Sequence, residues 1–163
     1  MSGTKQNQTS TAIQSEHLRS FLADTYSLFA LTQGCHWNVT GAQFASLHLL
    51  FQQQYTELSS AIDDIAERLR SLGQQAPGTL AELTARARPN NDTPRDANTM
   101  LLVLSAAHRQ LALDAGRLVP LFDDMGDGPS VDLINARRAA HEKATWMLDS
   151  HCPHEVTDLS RTE

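Results

Sequence analysis

Apolar side chains recur at three- and four-residue intervals from Glu16 onward, at Leu18, Phe21, Leu22, Tyr26, Phe29 and Ala30, until Asn38-Val39-Thr40-Gly41 interrupts them. These intervals belong to one face of a helix and predict a first helix of about 20 residues closed by a turn. The same spacing returns after Gly41 at Phe44, Leu47, Phe51, Tyr55, Leu58, Ile62, Ile65, Leu69 and Leu72, and stops at Gly73, which suits a C-terminal cap. That is a second helix of roughly 30 residues. Pro77-Gly78 then breaks the chain, residues 79–87 are spaced for a short helix, and Pro89 to Pro94 read as a loop. A third helix over residues 95–125 carries Met100, Leu101, Leu104, Ala107, Leu111, Leu118, Leu121 and Phe122. Past Gly126-Asp127-Gly128-Pro129, Ser130 is the expected N-cap of a fourth helix with Val131, Ile134, Ala139, Ala140, Trp146 and Met147, running to Ser150 and closed by Pro153.

No segment shows the alternation of a strand. Four long helices, with a long connection holding a short helix between the second and third, predict an all-α four-helix bundle with one crossover. Residues 1–15 are rich in Ser, Thr and Gln, with Lys5 their only charge, and are expected to form a flexible N-terminal tail. The bundle then occupies residues 16–150, and residues 151–163 form a C-terminal tail.

Composition narrows the function. At 163 residues and 40% hydrophobic the chain has room for one domain, and no stretch approaches the roughly 20 apolar residues that span a bilayer. The leading residues lack the apolar centre of a secretory signal, so a cytoplasmic location is expected. Thirteen Lys and Arg against nineteen Asp and Glu give a net charge of −6, the opposite of a basic nucleic-acid-binding surface. Two cysteines, Cys35 and Cys152, are too few for a disulfide framework and are expected to be reduced.

The chemistry-bearing residues gather around the first two helices: Cys35-His36-Trp37 at the end of the first, His48 and Gln52 early in the second, Asp63, Asp64 and Glu67 later in it. Four-residue spacing sets His48 beside Gln52, and Asp63 beside Glu67. Imidazole and carboxylate together suit iron, manganese or zinc. On spacing alone a plainer reading competes, with His36 hydrogen-bonded at the turn and the two carboxylates on a solvated face beside Arg68 and Arg70. A metal reading carries a further demand. His48 and Asp63 lie fifteen residues apart on one helix, about 22 Å at the helical rise, too far to share an ion. If two copies of the second helix pack antiparallel about a two-fold axis, His48 of one chain meets Asp63 and Glu67 of the other, and two equivalent sites form.

The segment Cys35-His36-Trp37-Asn38-Val39-Thr40-Gly41, with Phe44, Leu47-His48 and Phe51, then Asp63-Asp64-Ile65-Ala66-Glu67-Arg68 and Leu72-Gly73, resembles the Dps family of small ferritins. The helix layout is similar over residues 16–150. The resemblance implies a ferritin-like subunit, a hollow homo-dodecamer, and intersubunit ferroxidase centres that oxidise Fe(II), preferably with hydrogen peroxide and otherwise with oxygen, storing Fe(III) oxide inside. It implies that His36 and His48 are ligands from one subunit, that Asp63 and Glu67 come from its two-fold partner with Glu67 bridging, and that Trp37 donates an electron to a reactive oxidant or simply packs.

One position departs from the family. Gln52 stands where an acidic ligand is usual, and a neutral amide is a weaker ligand, so the second metal position is expected to be weakened or shifted toward zinc. His17 on the first helix is a candidate substitute donor. In related shells acidic residues near the third-to-fourth helix turn line pores, which makes Asp123, Asp124, Asp127 and Asp132 candidates here, with turn formation and capping as the alternative. Some relatives compact DNA through basic tails; Lys5 at one end, and Arg161 among Glu155, Asp158 and Glu163 at the other, argue against that. His141-Glu142-Lys143 and Trp146-Met147-Leu148 read as packing and surface. His151-Cys152-Pro153-His154 holds donors for a transition metal or an oxidant, but also suits a frayed helix end.

Overall fold

The computed structural model describes residues 2–89 and 94–152, with side chains described from residue 12 onward. Five helices follow in order: α1 (Ser2–Asn38), α2 (Phe44–Ser71), α3 (Leu80–Arg86), α4 (Ala97–Asp124) and α5 (Gly128–Asp149). Among the described residues there is no strand. The apolar stripes read from the sequence are buried together, with Leu18, Leu22, Leu47, Phe51, Leu58, Ile65, Leu101, Leu104, Phe122 and Ile134 at 2% exposure or less. This is the all-α bundle expected from periodicity.

Contacts at the two ends of α1 fix its direction against α2. His36 bonds to His48 at one end, and Arg19 bonds to Gln74 and Gln75 at the other, so α1 and α2 are antiparallel. Ser105 meets Asp149 while Gly116 lies beside Arg138, so α4 and α5 are antiparallel too. Glu57 pairs with Arg137, and Arg68 with Asp127 and Ser130, so α2 also opposes α5. It follows that α2 and α4 point the same way. The chain leaving α2 must return the length of a 28-residue helix, about 42 Å, and this is the physical reason for the long crossover. Its short helix α3 starts with a capping box between Thr79 and Glu82 and rests Leu83 on the bundle.

Two boundaries differ from the sequence expectation. Helix α1 does not begin near Glu16; it extends back to Ser2 through residues expected to form a tail. Gln14 and Ser15 are buried, and the Gln14 amide donates to the Asp127 carboxylate and faces Ser130 Oγ at 3.4 Å. Polar composition points to a tail only while the polar groups lack partners, and here the first turn of α5 supplies them. The second difference is the start of α5. Asp127, not Ser130, is its N-cap and accepts from the Ser130 amide, with Pro129 in the first turn. At the far end, residues 153–163, including Pro153 and His154, lie outside the described residues.

Arg68 ties this corner together. Its guanidinium bonds Asp127 at 2.6 Å and Ser130 at 2.8 Å, with both charged side chains largely covered. That contact and the cap hold the Asp127 carboxyl below its ordinary range, against the effect of burial. Replacing Arg68 by Ala strips the partner from a covered carboxylate at a helix start. It is expected to cost about 1–3 kcal/mol, seen as a lower urea midpoint at an unchanged slope.

The core is interrupted by a polar layer. His108 on α4 and His141 on α5 are 2% and 0% exposed, and their Nδ1 atoms are 3.0 Å apart. Within the segments read as packing and surface, His141 is on the packing side, edge-on against Phe21. Gln54 precedes Glu57 by three residues and His141 follows Arg137 by four, so antiparallel α2 and α5 bring Gln54 level with the imidazoles. The side-chain amide of Gln54 and both Nε2 atoms are buried without hydrogen-bond partners among the described residues.

Candidate metal centre

The turn between α1 and α2 brings the two motif histidines together. Cys35 and Val39 are buried and anchor the end of α1, and Gly41, at φ 101°, takes the left-handed conformation that turns the chain into α2. His36 Nδ1 then lies 2.8 Å from the His48 carbonyl oxygen, and His48 Nδ1 lies 2.9 Å from the His36 carbonyl. The rings stack at 3.8 Å between centroids, 22° from parallel.

These reciprocal bonds decide the chemistry of both rings. A carbonyl oxygen can only accept, so in each histidine Nδ1 carries the proton and donates. In the neutral form this leaves the lone pair on Nε2, and neither Nε2 has a partner among the described residues. A metal-binding imidazole needs this tautomer and a fixed acceptor, here a backbone carbonyl, on its other nitrogen. The pair sets two nitrogen donors side by side, one at the end of α1 and one in the second turn of α2.

The remaining candidates are placed as follows. Gln52, one turn beyond His48, is exposed, as are Asp63, Asp64 and Glu67 further along α2. Among the described residues neither the Asp63 nor the Glu67 carboxylate has an ion pair or hydrogen bond; both lie on a solvated face, as the plainer reading has it, and His36 is hydrogen-bonded at the turn, though neither arginine pairs with the two carboxylates. Arg68 turns instead to α5, and Arg70 to the Gln74 carbonyl. The carboxylates stay a helix length from the imidazoles, and no group of three or more His, Cys, Asp or Glu side chains is clustered among the described residues. Trp37 is 68% exposed beside His36, and Leu49, on the outward face of α2, is 55% exposed. Between His48 and Asp63 that face carries Leu49, Gln52, Gln53, Thr56 and Ser60, with Glu57 at its edge.

His17 is not near the imidazoles. It is half-buried along a depression shared with Asp24, Arg86, Asp114 and Arg117, on the α1–α4 side of the bundle. Asp127 is committed to the α5 cap and to Arg68, a structural role that removes it as a free carboxylate, whereas Asp123, Asp124 and Asp132 are exposed. Burial pushes the Cys35 thiol up to about 11, so it packs as a neutral side chain. His151 and Cys152 are half-buried at the end of α5, and burial, with Asp149 beside it, raises the Cys152 thiol. Sequence reading missed Tyr55, whose ring stands edge-on to His36 at 5.2 Å. Its position seven residues after His48, two turns along one helical face, was the available signal.

The model for the ferritin-like domain matches residues 15–154. A low temperature-induced protein of Nostoc is 35% identical over 150 residues, covering 90% of this chain and 83% of its own. The DNA protection during starvation protein 1 of Deinococcus radiodurans is 31% identical over 146 residues, covering 88% of this chain and 70% of its own. Among solved structures, Dps from Thermosynechococcus elongatus superposes with a TM-score of 0.87 at 22% identity, covering 94% of this chain and 99% of that one.

Proposed function

The chain belongs to the ferritin-like family, in its Dps branch, and from that premise we propose that it is an iron-storing mini-ferritin that oxidises Fe(II) at centres shared between two subunits. His36 and His48 give the nitrogen ligands; Asp63 and Glu67 of a two-fold mate give the carboxylates, with Glu67 bridging. The observation that carries this is the pair of free Nε2 atoms at one end of α2 and the pair of uncommitted carboxylates at the other. An antiparallel α2–α2 contact joins the two halves twice, and the charge-poor face between them, with exposed Leu49, is suited to that contact.

The protein's part is to hold the substrate ions and tune their charge. Neutral imidazoles bind without proton loss, and carboxylates offset the positive charge that grows as iron is oxidised. Two ferrous ions held together give one electron each to hydrogen peroxide, which with two protons becomes two waters, so no hydroxyl radical is released. Oxygen is the slower oxidant in this reading. The ferric product is kept inside a dodecameric shell, which iron enters past exposed acidic side chains such as Asp124 and Asp132; Asp127 is not among them. Gln52 brings an amide where a carboxylate would add charge, which weakens the second iron position. Zinc occupancy with feeble oxidation is the competing outcome. The net charge of −6 opposes DNA compaction.

Anaerobic protein loaded with Fe(II) and then given peroxide or air tests this, by ferric absorbance and by co-elution of iron with the assembled protein. Fast oxidation with peroxide, lowered by at least tenfold in His36→Ala, is the expected result. Oxidation no faster than in buffer overturns it.

A further inference from the structure

The His36–His48 pair is not isolated within the bundle. Tyr55 stands edge-on to His36 with ring centroids 5.2 Å apart, Phe29 meets Tyr55 at 6.1 Å and 84°, and Tyr26 meets Phe29 at 5.8 Å. Each step is an aromatic contact in the packing range, and the rings alternate between α2 and α1 before running back along α1. The column ends at Tyr26, which borders a surface depression of about 600 Å³ beneath α3, beside Leu80, Leu83 and Arg88. Both tyrosines are half-buried. Trp37, although next to His36 in sequence, is 68% exposed and enters none of these ring contacts.

We infer that Tyr55 and Tyr26 form a one-electron escape path from the His36–His48 site to the depression under α3, with Phe29 as the ring between them. The inference rests on the proposal that these histidines hold iron. A lone ferrous ion meeting peroxide gives Fe(III), hydroxide and a hydroxyl radical, and the neutral Gln52 favours that lone ion by weakening the second position. The radical takes a hydrogen atom from the Tyr55 phenol: the O–H bond breaks, water forms and a neutral tyrosyl radical remains. An electron and proton from Tyr26 restore Tyr55 and leave the radical on Tyr26. There a small one-electron reductant from solution, such as a thiol or ascorbate, returns the hydrogen atom and is itself oxidised. The damage is thereby led away from the ligands to a position that solvent can repair.

Freeze-quenched EPR of the assembled protein, loaded with substoichiometric Fe(II) and treated with peroxide, tests the path. Wild type is expected to show a neutral tyrosyl radical that ascorbate quenches. Tyr55→Phe keeps the ring contacts and is expected to lose the signal, while its iron is still oxidised. In Tyr26→Phe the radical is expected to persist on Tyr55 and to resist ascorbate; in Trp37→Phe the tyrosyl signal is expected to be unchanged. An unaltered tyrosyl signal in Tyr55→Phe, or a tryptophanyl signal alone in wild type, overturns the path while leaving iron oxidation standing. Iron that stays ferrous in wild type overturns the iron-site proposal, and the path with it.

Discussion

The folded chain is expected to lose stability steeply as pH falls below about 6.5, the ordinary imidazole value, because of His108 and His141. Burial pushes both imidazoles well below that value, and the Arg137 guanidinium pushes in the same direction; for His141 the facing His108 adds to it. Groups with lowered folded pKa values bind more protons when unfolded, so their share of stability is intact above pH 6.5 and shrinks as the pH falls toward the folded values. One proton at an Nε2 leaves the Nδ1–H···Nδ1 contact in place. A second must go to the remaining Nδ1, setting two N–H groups against each other at 3.0 Å. Around the pair, α1 presents Phe21, α2 presents Gln54 and Glu57, and α5 presents Arg137; Glu57 already takes both ends of Arg137 and is not free to offset a new charge. At about 1.36 kcal/mol per pH unit for each group, the loss by pH 5 is roughly 2 kcal/mol per imidazole. That is a large part of the 5–15 kcal/mol typical of a domain. Urea unfolding at pH 7.5 and pH 5.0 measures it. In the His108→Leu, His141→Leu double variant the difference between the two pH values is expected to shrink by most of that amount; an unchanged difference would place the acid sensitivity elsewhere.

The second large effect separates a shared centre from one contained in a single chain. His48→Ala and Asp63→Ala are each expected to abolish rapid iron oxidation, because each variant removes a ligand from every site. When the two variants are unfolded together and reassembled, half of the two-fold pairs are mixed. In a mixed pair one site lacks both ligands, and the other has both intact. Activity is therefore expected to return to about a quarter of wild type. Each variant reassembled alone is the control and should stay inactive. A mixture that also stays inactive, in assemblies of normal size, rejects the sharing of ligands across α2.

Much of this protein could be read along the chain because helix formation answers to local spacing. The faces of α2, α4 and α5, the crossover with its short helix, and the turn at Gly41 follow from apolar intervals and turn residues whose meaning is set within a few positions. The histidine run and the acidic run on α2 also stand out, since a motif is a local pattern. The cap of α5 was missed locally, by three residues, but the larger differences have a long-range cause. Gln14 and Ser15 looked like part of a tail, and the pairing of His141 with His108 could not be seen, because the groups that meet Gln14 lie more than 100 residues away and His108 is on another helix. A polar side chain is stable inside only if a partner meets it, and a sequence does not say who the partner is.

The proposed metal site divides along the same line. The chain by itself determined which residues are proposed to bind iron, with imidazoles early and carboxylates late along one helix. Only the tertiary structure decided how the imidazoles are held. Packing α1 against α2 puts each Nδ1 on the other residue's carbonyl, which leaves both Nε2 lone pairs free. The same packing sets Tyr55 against His36 and so opens the column of rings to Tyr26. Helical spacing fixes neighbours on one helix, whereas tautomer, burial and ring contact depend on atoms that the fold brings from another.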